Sequence, residues 1–412
     1  MDIRPILSTL LRHKTAAALI VLEIALSCAI ICNALFLIGE RVSLINRPSG
    51  VAENEMVRLQ ITGIGEDDNA DALTRTDLAT LRGLPGVKNA TVTNQVPFVN
   101  SSWNTSVNLK PDQDQPTANL TMYLGDEHFL DTFGLNLVEG RNFNPDEMQE
   151  WSVVSAPGAD TEPPAMIVSR KVAEKLFPGE NVIGKSVYIG GPDSGPTRIV
   201  GIVEHLVRPS NQGGPAEHEY SMILPTRVPY NLGGNYVLRT DPERRDEVLK
   251  AAAEAVLKNG PNRIILEDNT KTFEVLRQEF YREDRAMAWL LVAVCVALLV
   301  VTALGIVGLA SFWVQQRTKQ IGVRRALGAT RGQVLRYFQT ENFLLASIGI
   351  ALGMLFAFGI NQLLMGRYEL PRLPLYYLPI GAMLLWLLGQ IAVLGPARRA
   401  AAVPPAVATR SA

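Results

Sequence analysis

Residues 179–186 read GENVIGKS. Gly179, Gly184, Lys185 and Ser186 carry the G-x-x-x-x-G-K-S spacing of a phosphate loop, in which backbone N–H groups and a lysine ammonium cradle the phosphates of a nucleotide. That chemistry needs a strand before the glycines and a helix after them, so that a helix N-terminus faces the phosphates. Here the order is reversed. SRKVAEKLF spaces Val172, Leu176 and Phe177 as one helical face, which Pro178 and Gly179 end. SVYIGG has the β-branched and aromatic content of a strand. The expectation is a pair of turns with a solvated Lys185, and no nucleotide site.

Other chemistry is sparse. The histidines His13, His128, His205 and His218 share no ligand spacing on a helix face, so no metal centre is expected. No G-x-S-x-G or H-E-x-x-H is present, and no catalytic residue or cofactor site is expected. Glu23 remains. A carboxylate inside an apolar run is costly and is a functional candidate by default. Ser27 lies one turn further along the same face. Either Glu23 belongs to a proton pathway, or it is neutral, bonded to a neighbouring helix, or near enough to the interface to reach it. The second reading is the simpler.

The elements around these residues are dominated by four apolar stretches, at 15–38, 286–314, 343–364 and 375–394. Each is near the roughly 20 residues that a helix needs to cross a bilayer. The first is too long for a cleaved signal peptide and lacks a small-residue cleavage site. Basic residues orient them. Arg4, Arg12 and Lys14 precede the first span; Arg317, Lys319, Arg324, Arg325, Arg331 and Arg336 fill the connection between the second and third; Arg398, Arg399 and Arg410 follow the fourth. Both ends and the 315–342 connection are therefore expected in the cytoplasm, and 39–285 outside, with 365–374 a short outer loop. The net charge of -1 offers no footprint for nucleic acid. Cys28, Cys32 and Cys295 all fall in spans, so the outer segment must fold without disulfides.

Residues 1–14 space Ile3, Ile6, Leu7 and Leu10 as the apolar face of a helix lying on the inner membrane surface. The outer segment reads as a split α+β domain. MVRLQITG, TRTDLATLRGL and KNATVTNQV form a strand, a helix and a strand; NYVLRT, PERRDEVLKAAAEAVLKN and RIILED repeat that series. One lobe thus takes 50–97 and 219–270, and a second, inserted lobe takes 98–218. KTFEVLRQEFYREDRAM is expected to run as one helix into the second span. Gly349, Gly353 and Ala357 place small residues along the third span at helix-packing spacing.

The connection QQRTKQIGVRRALGATRGQVLRYFQTENFLL is the richest stretch. A short basic helix holding Ile321, Arg324, Arg325 and Leu327 is expected to end at Gly328. Thr330 and Gln333 then open the next helix as a capping box. RTKQIGVRRALGA closely resembles the signature of FtsX-like, MacB-type ABC transporter permeases, although Gln320 stands where that family more often has Glu. GPARRAAAVPPAVATR resembles the family's tail through Pro396, Arg398, Arg399 and Pro405, and LFPGENVIGKSV and VEGRNF resemble parts of its periplasmic core domain.

The resemblance implies four spans with a large α+β periplasmic domain, made of a porter-like lobe and an inserted lobe, in a bacterial inner membrane. It implies that Arg317, Lys319, Ile321, Gly322, Arg324, Arg325, Ala326 and Gly328 contact a cytoplasmic ABC ATPase subunit. ATP would then be hydrolysed by that partner and not by this chain. A second permease subunit, homo- or heterodimeric, a periplasmic adaptor and an outer-membrane channel are the other implied partners, beside membrane lipid. Efflux from the periplasm is the leading implied function. Regulation of a periplasmic enzyme and lipoprotein release are the alternatives.

Overall fold

The computed structural model describes residues 14–65, 67–156, 162–190, 194–211, 214, 217–368 and 372–404. Two compact units emerge: Met1–Asn46 with Glu283–Ala412, and Arg47–Arg282. The expected surface helix over 1–14 lies outside the described residues except for Lys14.

The chain starts its described course with α1 (Lys14–Ile45), then enters the second unit through β1 (Met56–Gly63), α2 (Ala70–Arg82) and β2 (Val87–Thr93). Next come β3 (Asn104–Asn108), β4 (Ala118–Gly125), β5 (Leu137–Gly140), β6 (Gln149–Glu150), β7 (Ala165–Ser169), α3 (Arg170–Leu176), β8 (Ser186–Ile189), β9 (Pro196–Val203) and β10 (Ser221–Arg227). The unit ends with β11 (Asn235–Thr240), α4 (Arg245–Asn259), β12 (Arg263–Ile265), β13 (Lys271–Thr272) and α5 (Phe273–Phe280).

Two sheets share these strands. The first runs β12-β1-β11-β2, with β13 also on β1. Alternation along β1 sends Val57, Leu59 and Ile61 into a core with Leu81 of α2 and Val248, Ala252 and Val256 of α4. Asp77 pins this layer pair. It is fully buried, forms an ion pair with Arg263, and accepts hydrogen bonds from Tyr236 at 2.6 Å and Asn259 at 3.0 Å. The second sheet runs β4-β3-β8-β9-β7-β10-β6, with β5 on β9. β10 also pairs in parallel with β4, so six strands close into a ring with no free edge between them. β10 thus belongs to the second sheet, although it falls beyond residue 218, the expected end of the inserted lobe. A strand's sheet is chosen by pairing partners distant in sequence, which its own pattern does not encode.

The stretch around the phosphate-loop match is helix, turn, strand: α3, then Gly179 and Gly184 at φ of 75° and 86°, then β8. The helix expected to run unbroken into the second span is interrupted. α5 stops at Phe280, Tyr281 adopts φ −94° and ψ 15°, and a new helix starts at Arg282.

That helix, α6 (Arg282–Gln316), is followed by α7 (Thr318–Ala326), α8 (Arg331–Tyr368) and α9 (Tyr377–Ala401). α1, α6, α8 and α9 are the four described helices long and apolar enough to cross a membrane. The small residues of α8 serve contact within the chain. A Cβ on Gly349 would lie 2.8 Å from Ile24 Cβ, and one on Gly353 would lie 2.5 Å from Cys28 Cβ. Asn33 Nδ2 donates to the Ala357 carbonyl at 3.1 Å, satisfying a polar group inside an apolar layer.

Candidate functional site

The connection between α6 and α8 folds as its residues suggest. α7 ends in a Schellman motif: Gly328 takes φ +99°, its N–H donates to the Arg325 carbonyl at 3.2 Å, and the Ala329 N–H donates to the Arg324 carbonyl at 3.0 Å. A non-glycine residue would be strained at that φ. The capping box follows, with Gln333 N–H donating to Thr330 Oγ1 at 3.3 Å and Thr330 N–H to Gln333 Oε1 at 2.9 Å. These motifs fix a sharp, defined corner between α7 and α8.

The eight residues singled out in this connection divide into two sets. Arg317, Ile321, Gly322 and Arg325 face inward. Ile321 packs with Val314, Val334, Phe338 and Ala397. Arg317 sits just before α7 with its guanidinium 5.7 Å from the Trp313 ring centre. Its Nη1 donates to both carboxylate oxygens of Glu341 on α8, at 3.0 Å each. Both side chains are buried, at 9% and 1% exposure, so removal of Glu341 would strand the Arg317 charge. Arg325 donates to the carbonyls of Ala401 and Val403, at and just past the end of α9. Short α7 is therefore tied by polar bonds to both membrane helices beside it.

Lys319, Arg324, Ala326 and Gly328 face outward. Val323 and Leu327, at 48% and 83% exposure, lie among them; Leu327 was expected on this helix, but neither was named as a contact from the sequence. Their signal was available: two apolar residues on a basic helix, four apart and off the Ile321 stripe. Arg324 arches over the Tyr337 ring at 5.3 Å. Beside it, Gln320, Arg324, Gln333, Tyr337 and Phe338 line a groove of about 210 Å³ between α7 and the start of α8. The surface offers positive charge, exposed aliphatic area and a concavity, which suits a protein partner. Glu341 was also missed. A single carboxylate at the mouth of an apolar run requires a partner, and Arg317 was the cation close by.

Glu23 lies half-buried on α1 against α6, where a Cβ on Gly305 would meet its Oε2 at 2.4 Å. One turn along, Ser27 and Thr302 share a hydrogen bond of 2.8 Å. Among the described residues no hydrogen bond reaches the Glu23 carboxylate. Lys185 pairs with Glu180 and lies 4.3 Å from the Phe177 ring centre, which makes it a local brace of the turn. His205 and His218 lie close together: His205 Nδ1 meets Glu219 Oε1 at 2.7 Å, and His218 is held down to about 4 by burial first and by Arg47, Arg277 and His205 next. No three His, Cys, Asp or Glu side chains among the described residues converge as metal ligands.

Two family models match this chain. Residues 17–256 match the MacB-like periplasmic core domain, and residues 292–405 match the FtsX-like permease C-terminal model. The chain is 25% identical over 384 residues to the macrolide export ATP-binding/permease protein MacB of Bdellovibrio bacteriovorus, covering 86% of this chain and 54% of that protein. It is 24% identical over 443 residues to the uncharacterized ABC transporter permease YknZ of Bacillus subtilis, covering 99% and 98%. The solved extracellular domain of the noncanonic ABC-type transporter YknZ from Gram-positive bacteria aligns at 18% identity and a TM-score of 0.31, over 51% of this chain and 99% of that one. The chain spans about half the length of the MacB relatives it matches, 54% and 46% of them. With the core-domain model alone matching more than half of its residues, the chain belongs to the MacB-type, FtsX-like family of ABC transporter permeases.

Proposed function

We propose that the chain is the permease subunit of an ABC transporter in which a cytoplasmic ATPase docks on the outward face of α7. The observation that carries this reading is the double tether of α7. Arg317 joins it to α8 through Glu341, and Arg325 joins it to the end of α9. A push on Lys319, Val323, Arg324 and Leu327 is then delivered to two membrane helices at once. α8 passes it to α1 through the close contacts at Gly349 and Gly353. Packed helices transmit such displacements because close-packed interiors deform little.

In this reading α7 and both chain ends lie in the cytoplasm of a bacterial inner membrane, and the Arg47–Arg282 unit lies in the periplasm. The ATPase hydrolyses ATP, a second permease subunit completes the transporter, and the periplasmic unit drives efflux with an adaptor and an outer-membrane channel. The MacB relatives, named for macrolide export, support export as the direction of work.

The test is co-purification of an ABC ATPase from membranes, with ATP hydrolysis as readout. Arg325 is unsuited to it, because its bonds to α9 make any substitution structural. Lys319→Glu with Arg324→Glu reverses the outward charge and leaves the tethers in place. The expected result is loss of the ATPase from a chain that still inserts in the membrane. Equal capture by the variant would reject docking on this face.

A further inference from the structure

Strand alternation that sends Val57, Leu59 and Ile61 into the core turns Arg58 and Gln60 to the opposite face of the first sheet. There a cavity of about 220 Å³ is walled by Arg58, Gln60, Asn94, Gln95, Trp103 and Asn235. Arg58 is only 5% exposed. Its Nε donates to Asn235 Oδ1 at 2.8 Å, and among the described residues no carboxylate pairs with it.

Three other arginines are buried, and each has an acid: Arg263 has Asp77, Arg208 has Glu217, and Arg317 has Glu341. Burial lowers the Arg58 pKa to about 10, with no charged neighbour to offset it, and the group stays cationic at neutral pH. A buried cation without a counter-ion is a standing cost to the fold.

Next to it, Gln60 Oε1 is buried without a hydrogen bond, while its Nε2 is committed to the Gly233 carbonyl at 2.9 Å. The rest of the wall is satisfied and held in place. Asn235 Nδ2 donates to the Thr93 and Asn94 carbonyls, Gln95 Nε2 donates to the Met122 carbonyl, and Gln95 Oε1 accepts from the Trp103 backbone N–H. Two groups thus have open valence, one cationic donor and one neutral acceptor, and the half-open ring of Trp103 supplies an apolar wall.

We infer that this cavity binds a small carboxylate that also carries an N–H, with the carboxylate on Arg58, the N–H on Gln60 Oε1 and the apolar part against Trp103. An acyl-amino acid has that chemistry, either as a free small molecule or as the C-terminal residue of a peptide. The volume is below the roughly 300–1,000 Å³ of pockets that engulf drug-sized ligands, so the site takes one residue's worth of ligand. This assignment is independent of ATPase docking, and its test contains no ATPase.

The experiment is calorimetric titration of the full chain in detergent with N-acetylphenylalanine, its primary amide, and the tripeptide N-acetyl-Gly-Gly-Phe. The acid is expected to bind saturably and the amide at least about tenfold more weakly, since hydrogen bonds to charged groups are the strong ones. Binding of the tripeptide would mark a peptide terminus as the natural source, and its exclusion a free small acid. Arg58→Met should weaken the acid by at least about tenfold while the thermal midpoint holds or rises, because an unpaired buried charge is gone. Gln60→Leu should weaken it less. Three results would overturn the proposal: no saturable binding of either acid up to about 10 mM, equal binding of acid and amide, or a lowered midpoint in Arg58→Met. The last would make Arg58 a structural brace.

Discussion

The Arg317–Glu341 pair allows a quantitative test of how α7 is held. Replacing Glu341 with Leu leaves the Arg317 guanidinium buried and uncompensated, since that side chain is only 9% exposed. Breaking a buried pair from one side costs about 3–5 kcal/mol. If the whole cost falls on the docking of α7 against α8, the locally open state gains roughly 10²–10⁴-fold in population. Lys319 and Arg324 are exposed on α7 but protected from trypsin by their helical backbone. When opening is fast relative to cleavage, the cleavage rate follows the open population. Limited trypsinolysis of the chain in nanodiscs, scored at Lys319 and Arg324, should therefore speed up by about two orders of magnitude or more in Glu341→Leu. The double variant Arg317→Met with Glu341→Leu should return close to the wild-type rate, because apolar pairs of similar volume replace buried ion pairs at little cost. A single variant no faster than wild type, or a double variant as fast as the single, would refute the idea that this pair clamps α7.

Three further outcomes follow from the geometry. Gly353→Val should push α8 off α1, since its Cβ would meet Cys28 Cβ at 2.5 Å and the Ala25 carbonyl at 2.6 Å; overpacking of about 1–3 kcal/mol or more should appear as a lower unfolding midpoint in detergent. His218 titrates near 4 when folded against 6.5 when free, so the unfolded chain binds the extra proton between those values. Stability of the Arg47–Arg282 unit should fall as pH drops through that window, and His218→Asn should flatten the fall in a pH series of thermal melts. Lys185→Ala should leave ATP hydrolysis by the co-purified ATPase unchanged and cost the fold under about 1 kcal/mol, as only a surface pair and one ring contact are lost; a collapse of hydrolysis would revive the phosphate loop.

Local chemistry was legible in the sequence. The Thr330–Gln333 capping box, the glycine end of α7 and the helix-turn-strand order around Lys185 all depend on residues within a few positions of one another. What was not legible depends on distant pairing. Arg317 and Glu341 meet across a corner, so the cation read as an ATPase contact and its acid was passed over. Arg325 read as a docking residue because its acceptors, the carbonyls at the end of α9, leave no mark in a side-chain pattern. Tyr281 has no glycine or proline beside it, so the break between α5 and α6 gave no warning. Arg58 looked like the polar half of an alternating strand. Only the packing of residues 94–103 over the sheet shows that it is buried.

The order of strand pairing in the first sheet has a consequence for biogenesis. Met56 of β1 pairs with Arg239 of β11, and Gly63 pairs with Arg263 of β12. The whole closed ring of the second sheet is made between them. At synthesis speeds of ~5–20 residues per second, β1 waits on the order of ten seconds for its neighbours. During that time its unpaired backbone edge and its apolar face are both open. The ring can close first, since all its strands arrive before β11 does. Lengthening the second sheet would therefore lengthen the exposure of β1 to proteases in direct proportion.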